Sequence, residues 1–230
     1  MNEFIKLLAS LIAVTVVLTV HEFAHAFVAY KCGDPTAKWN GRMTLNPMKH
    51  FDPIGLILFA VAGFGWAKPV PVNPANFKNY KRGSFLTSAA GVAVNYVMAF
   101  LFYPLMILVL QMAFKTGITT YGDKFLWYLI QFLYFDALAF CVFNMLPLYP
   151  LDGFRMVEAL NRRRGKIYTF LRDYGHYILM GLIITSYICE RMFDQTGNMI
   201  FYYLNVFDLI MDKLTQWFSW PITKFWGLIF

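Results

Sequence analysis

His21-Glu22-Phe23-Ala24-His25 sets two imidazoles and a carboxylate at the end of an almost unbroken apolar run from Phe4 to Val20. Four residues make about one helical turn, so both imidazoles lie on one helix face, where a single Zn²⁺ can take both. Glu22 is rotated by roughly 100° from His21 and addresses a water beside the metal, not the metal itself. Ionisable groups are costly in hydrocarbon, so such groups on an apolar run mark a functional site. The chemistry suggested is hydrolysis at a zinc ion inside a membrane.

Two histidines leave zinc one protein ligand short of the usual catalytic set of three plus water. The candidates for the third place are Asp52, Asp136, Asp152, Glu158, Asp208, His50 and His176. Asp152 stands apart because of its surroundings, Asn144-Met-Leu-Pro147-Leu-Tyr-Pro150-Leu-Asp152-Gly153. Pro147 and Pro150 break the preceding helix so that the chain can present Asp152 inward, and Gly153 permits close approach. The competing reading is an aspartate that caps a helix beginning at Gly153. His50 and His176 read as interfacial side chains, and Asp208 with Asp212 as the wet face of a helix that does not span. Asp136 lies near the middle of a long apolar helix and has no assigned role.

These groups need a membrane-sized scaffold, and composition supplies one. Of 230 residues, 59% are hydrophobic, 19% aromatic and only 14% charged, against roughly 25% charged in a soluble domain. The expected class is an all-α polytopic membrane protein with about five to six transmembrane or re-entrant helices. Helices are expected near 4–30, 84–113, 125–147, 174–192 and 198–213, followed by an aromatic C-terminal segment. Residues 53–66 are apolar but too short to cross about 30 Å of hydrocarbon, so a re-entrant or interfacial piece is expected. Within the first loop, Asn40-Gly41 could centre a hairpin over 38–45. Lys68-Pro-Val-Pro-Val-Asn-Pro74 can only be an edge strand or an extended loop. No internal repeat or linker is visible, so residues 1–230 read as one domain, with a core over about 4–165 and accessory helices over about 174–230.

A net charge of +7 does not point to nucleic acid, because the basic residues form no stripe with interleaved aromatics. They fall in two loops. One holds Lys31, Lys38, Arg42, Lys49, Lys68, Lys78, Lys81 and Arg82; the other holds Arg155, Arg162, Arg163, Arg164, Lys166 and Arg172. By the positive-inside rule both loops are cytoplasmic and the N-terminus lies outside. The first helix reads as a retained anchor, since a signal-peptide cut near Ala24 or Ala26 would sever the paired histidines. Cys32, Cys141 and Cys189 are isolated and odd in number, which implies neither a disulfide framework nor a thiolate site. Trp217, Trp220 and Trp226 read as an interfacial belt.

With these motifs in hand, the sequence resembles the site-2 protease family of intramembrane zinc metalloproteases. Its His-Glu-x-x-His motif matches His21, Glu22 and His25. Its Asn-x-x-Pro…Leu-Asp-Gly motif matches Asn144, Pro147, Leu151, Asp152 and Gly153, and its Gly-x-x-x-Asn motif matches Gly91 and Asn95. Members often have proline after that glycine, where this chain has Val92. Residues 33–37 and 45–47 are similar to short bacterial and archaeal members, and no PDZ or CBS module is visible. The resemblance, over about residues 4–165, implies one Zn²⁺ per chain on His21, His25 and Asp152, with Glu22 as general base. It places Asn95 and Asn144 near the site for substrate binding, the alternative being helix–helix glue. It further implies a multi-pass protein of the prokaryotic inner membrane, its site toward the cytoplasm, cutting membrane-anchored proteins in regulated intramembrane proteolysis. An edge strand at 38–45 or 68–74 would receive the unwound substrate. A homo-oligomer is left open.

Two other functions could use zinc ligands in a membrane. A non-catalytic zinc-stabilised scaffold has no use for Glu22 and closes its metal with four ligands. A metal transporter tends to carry its site near the midplane of an internally repeated fold, and these motifs lie toward one face and are unrepeated.

Overall fold

Among the described residues, three helices are long and apolar enough to cross a membrane. The computed structural model describes residues 1–62, 65–161 and 164–230. In order the helices are α1 (Asn2–Cys32), α2 (Thr36–Trp39), α3 (Pro53–Ala62), α4 (Tyr80–Thr116), α5 (Tyr121–Met145), α6 (Asp152–Leu160), α7 (Lys166–Thr196), α8 (Met199–Leu204) and α9 (Val206–Trp226). The candidate spans are α1, α4 and α5.

Local sequence fixes the ends of these elements. Gly33 closes α1 at φ 111, a left-handed conformation that glycine adopts without a Cβ penalty. The Asn79 side chain caps α4 by accepting from the Arg82 N–H at 2.9 Å. Thr120 and Asp123 form a reciprocal capping box at the start of α5.

Small residues then let the three long helices meet. Ala13 and Val17 of α1, Met98 and Ala99 of α4, and Leu133, Tyr134, Ala137 and Leu138 of α5 form one buried cluster, which Ile222 of α9 joins. Trp226 Nε1 donates to the Phe100 carbonyl at 2.9 Å and Tyr96 Oη to that of Phe218 at 3.2 Å, tying α9 to α4. The opposite face of α1 leaves Phe4, Leu7, Leu8, Ile12 and Val16 exposed. Small residues inward and large apolar residues outward suit hydrocarbon as the surrounding solvent.

The expectation of five to six spanning or re-entrant helices is therefore met only in part. α7 and α9 are long, but Asp173, Glu190 and Asp194 in one and Asp208, Asp212 and Lys213 in the other break their apolar character. The segment at 53–66 does contain a short helix, α3, while Gly63 and Phe64 lie outside the described residues, as do Arg162 and Arg163 of the second basic loop.

No hairpin forms at 38–45. The Asp34 carboxylate accepts from the Thr36 N–H at 3.1 Å and from its hydroxyl, which starts α2 at Thr36. Asn40-Gly41 then ends that helical turn: Gly41 has φ 63 and the Arg42 N–H returns to the Ala37 carbonyl at 2.8 Å. A left-handed glycine serves a helix end as well as a hairpin, and the aspartate upstream decided between them. Among the described residues there is no strand, only an isolated antiparallel bridge between Phe51 and Ala67. Residues 68–73 form neither helix nor strand, and Asn73 is extended at φ −110 and ψ 99.

Candidate metal centre

Helices α1 and α4 run antiparallel, and their register is written in two polar contacts. His25 Nδ1 lies 2.7 Å from the Thr87 carbonyl, and His21 Nδ1 lies 3.0 Å from Asn95 Nδ2. Both rings are thereby aimed with Nε2 inward, and the two Nε2 atoms stand 2.9 Å apart. Asp152 arrives from the other end of the sequence. It is the first residue of α6, after a turn that follows α5, and its Oδ2 lies 3.3 Å from His21 Nε2 and 3.0 Å from His25 Nε2. One ligand atom from each of the three residues lies within 4.8 Å of the others.

Two glycines make this convergence possible. A Cβ on Gly91 would stand 2.5 Å from His25 Nε2 and 2.7 Å from His21 Nε2, so only a bare backbone lets α4 lie against the pair. A Cβ on Gly153 would stand 2.2 Å from the Met145 carbonyl oxygen, so the end of α5 and the start of α6 pack backbone to backbone. The sequence had marked both.

The donor set fits a zinc ion. Asp152 Oδ2 is buried with no hydrogen-bond donor that satisfies it, though two ring nitrogens crowd it. Three lone pairs facing one point are an electrostatic conflict that a cation resolves. Asn95 Oδ1 is also buried without a partner. With Nε2 of His21 on a metal, Nδ1 must carry the proton, and turning the Asn95 carboxamide end for end gives that proton an acceptor and relieves the stranded oxygen. His25 Nδ1 already has its acceptor in the Thr87 carbonyl.

Glu22 is beside this group and outside it. Its Oε2 accepts from the Val70 N–H at 2.7 Å. The other candidates lie elsewhere. Asp52 caps α3 through the N–H groups of Ile54 and Gly55. Glu158 accepts from the Tyr168 hydroxyl. Asp208 is held by Ser186 and Asn205 in a contact with α7, whereas Asp212, expected on the same wet face, is exposed. His50 is 1% exposed and bound to the Thr44 carbonyl, a packed pin of the loop and not an interfacial side chain. His176 is half-buried beside Tyr149 and Tyr177. Asp136 lines a cavity of about 490 Å³ between α5, α7 and α9, its Oδ2 without a partner. Of the two asparagines, Asn95 meets the site directly, whereas the Asn144 amide donates to the Phe140 carbonyl on its own helix. Sequence reasoning missed the backbone groups of Thr87 and Val70, for which no side-chain type gives a signal.

Comparison with known proteins follows the same line. The chain is 41% identical over 214 residues to "Putative zinc metalloprotease YwhC" of Bacillus subtilis (strain 168), covering 88% of this chain and 92% of that protein. It is 29% identical over 219 residues to "Putative zinc metalloprotease Rip2" of Mycolicibacterium smegmatis, covering 93% and 78%. Against the protein of that name from Mycobacterium tuberculosis (strain H37Rv) the identity is 30% over 146 residues, covering 61% and 52%. No family model and no solved structure matches the chain.

Proposed function

The chain belongs to the zinc metalloprotease family of YwhC and Rip2, and we propose that it is an intramembrane endopeptidase of the site-2 protease type. Its substrates in this reading are membrane-anchored proteins, cut within or near their transmembrane segments in regulated intramembrane proteolysis. The observation that carries the reading is the meeting of His21 and His25 of the apolar helix α1 with Asp152 of α6, with Glu22 next in sequence to His21 and not among them.

One Zn²⁺ per chain would sit on His21, His25 and Asp152. When bound it supplies Lewis acidity, which polarises a peptide carbonyl and makes water nucleophilic near neutral pH. The chain's own residues do the rest. Thr87 and Asn95 hold the two rings in the tautomer that leaves Nε2 free. Glu22 takes the proton from the attacking water and delivers it to the leaving amine, which requires a carboxylate not consumed as a ligand. Asn95 and Asn144 are proposed to lie along the substrate.

A transmembrane substrate helix hides its carbonyls in its own hydrogen bonds, and freeing them in lipid costs several kcal/mol per group. Backbone groups in residues 68–73 can offset that cost by pairing with the unwound segment. The clustering of Lys and Arg in the two loops supports a site that faces the cytoplasm, and a prokaryotic inner membrane is part of the same reading. The scaffold alternative is disfavoured by Glu22, an acid that a closed structural site does not need.

The test compares wild type with Glu22→Gln on fluorescent membrane-anchored peptides, with zinc quantified in both. The proposal expects turnover lost and zinc kept in the variant. Turnover that survives removes Glu22 as base, and a zinc-loaded wild type that cuts nothing favours the scaffold.

A further inference from the structure

Pro69 and Pro71 have no N–H, so Val70 is the sole backbone donor between Lys68 and Val72. That donor is directed at Glu22 Oε2. We infer that the Lys68–Asn73 stretch is a splint for Glu22, and that the Val70 amide is a positioning group that fixes one carboxylate oxygen and leaves the other for the reacting water. The inference rests on the role of Glu22 proposed above.

Both ends of the splint are pinned by buried polar groups. At one end the Lys68 N–H donates to the His50 carbonyl at 2.9 Å, and Arg42 Nη2 donates to the Lys68 carbonyl at 2.5 Å. At the other, the Asn73 N–H donates to Asp34 Oδ2 at 2.7 Å and Asn76 Nδ2 to Asp34 Oδ1 at 2.8 Å. Arg42, His50 and Asp34 are all buried. In the middle, the Val70 side chain packs with Ala26 and Ala37, so the peptide cannot turn its N–H away without giving up that burial. The flanking prolines restrict the backbone of Val70 and of the residues around it to extended geometry.

The bond has a chemical purpose. Glu22 has three side-chain torsions, and ordering a long side chain costs rotamer entropy. A fixed N–H to a carboxylate is a charge-assisted bond, stronger than a neutral one, and it settles that search before substrate arrives. The proline pair removes competing donors and leaves this one. A donor committed to Glu22 is not offered to substrate, so strand addition along this stretch must use its other backbone groups.

Amide exchange tests the contact without any turnover. A peptide over 69–72 carries only the Val70 and Val72 amides, and Glu22→Ala should release the protection of one of them, in metal-free and zinc-loaded protein alike. Kinetics test the role. Val70→Pro removes the donor and Val70→Ala keeps it. The expected result is a kcat lower by about tenfold or more in Val70→Pro than in Val70→Ala, with KM and zinc content matched. If Val70→Pro does not fold, replacing Val70 by its α-hydroxy acid exchanges that N–H for an ester oxygen and serves in its place. Unchanged exchange in Glu22→Ala overturns the inference. So does a rise in KM at constant kcat, which assigns the amide to substrate, or equal kinetics in the two variants. A zinc-loaded wild type without turnover would instead sink the proposed function, and the exchange result would still judge the contact.

Discussion

His25 and His21 are each fixed at Nδ1 by a group on α4, and each presents Nε2 to the same point. The i, i+4 spacing made the pair legible, since helical geometry alone puts them on one face. Asp152 was legible through its prolines and glycine, because a carboxylate after a broken helix end has few reasons to be there. Thr87 and Val70 were not, because a carbonyl or an N–H looks the same under any side chain. At this scale the supporting acceptor on His21 can be tested. Asn95→Leu leaves the Nδ1 proton without a partner in a buried place, and zinc affinity should fall by about 10- to 100-fold, read by competition with a chromophoric chelator. Asn95→Asp keeps an acceptor and should retain most of the affinity; equal loss in both would remove the hydrogen bond as the cause. Gly91→Ala probes the cradle. Its Cβ would stand 2.5 Å from a ring atom of each histidine, so purified protein should lose zinc while its helical circular dichroism persists. Retained zinc would mean that α4 can back away.

Among the elements, the first loop was read least well, and the reason is local. Asn40-Gly41 announces a left-handed residue, and both a hairpin and a helix end need one. What decided the outcome is Asp34, whose carboxylate gathers Thr36, Asn73 and Asn76 and so joins the end of α1 to the splint. Burial opposes ionisation of Asp34, but the hydrogen bonds from Asn76, Thr36 and the Asn73 N–H outweigh it and hold its carboxyl below the ordinary value. A carboxylate with a lowered folded pKa contributes stability that is complete above the unfolded value, about 4, and is lost as pH falls through the folded value. Melting of wild type in detergent should therefore drop more steeply below about pH 4 than that of Asp34→Asn. At neutral pH the variant should be the less stable by about 1.5–3 kcal/mol, the usual worth of hydrogen bonds to a charged group. Parallel acid profiles for the two proteins would show that Asp34 is not the linkage.

For the whole molecule, hydropathy located α1, α4 and α5 because each is apolar over more than the width of a bilayer. α7 and α9 mix apolar runs with charged residues, so length and composition do not mark them as spans in the same way. What those three helices imply about orientation follows from charge. Lys and Arg gather in the loops before α4 and after α5, and the short connection between these helices has few, so the metal-site end should face the cytoplasm. Single cysteines placed in a background without Cys32, Cys141 and Cys189 can report this. Met48, 72% exposed in the first loop, and Thr119, exposed between α4 and α5, are suitable positions. A membrane-impermeant maleimide added to intact cells should label Thr119→Cys and spare Met48→Cys until the inner membrane is permeabilised. The reverse pattern would turn the site toward the other compartment, and any substrate would then have to present its cleavable stretch at the outer leaflet.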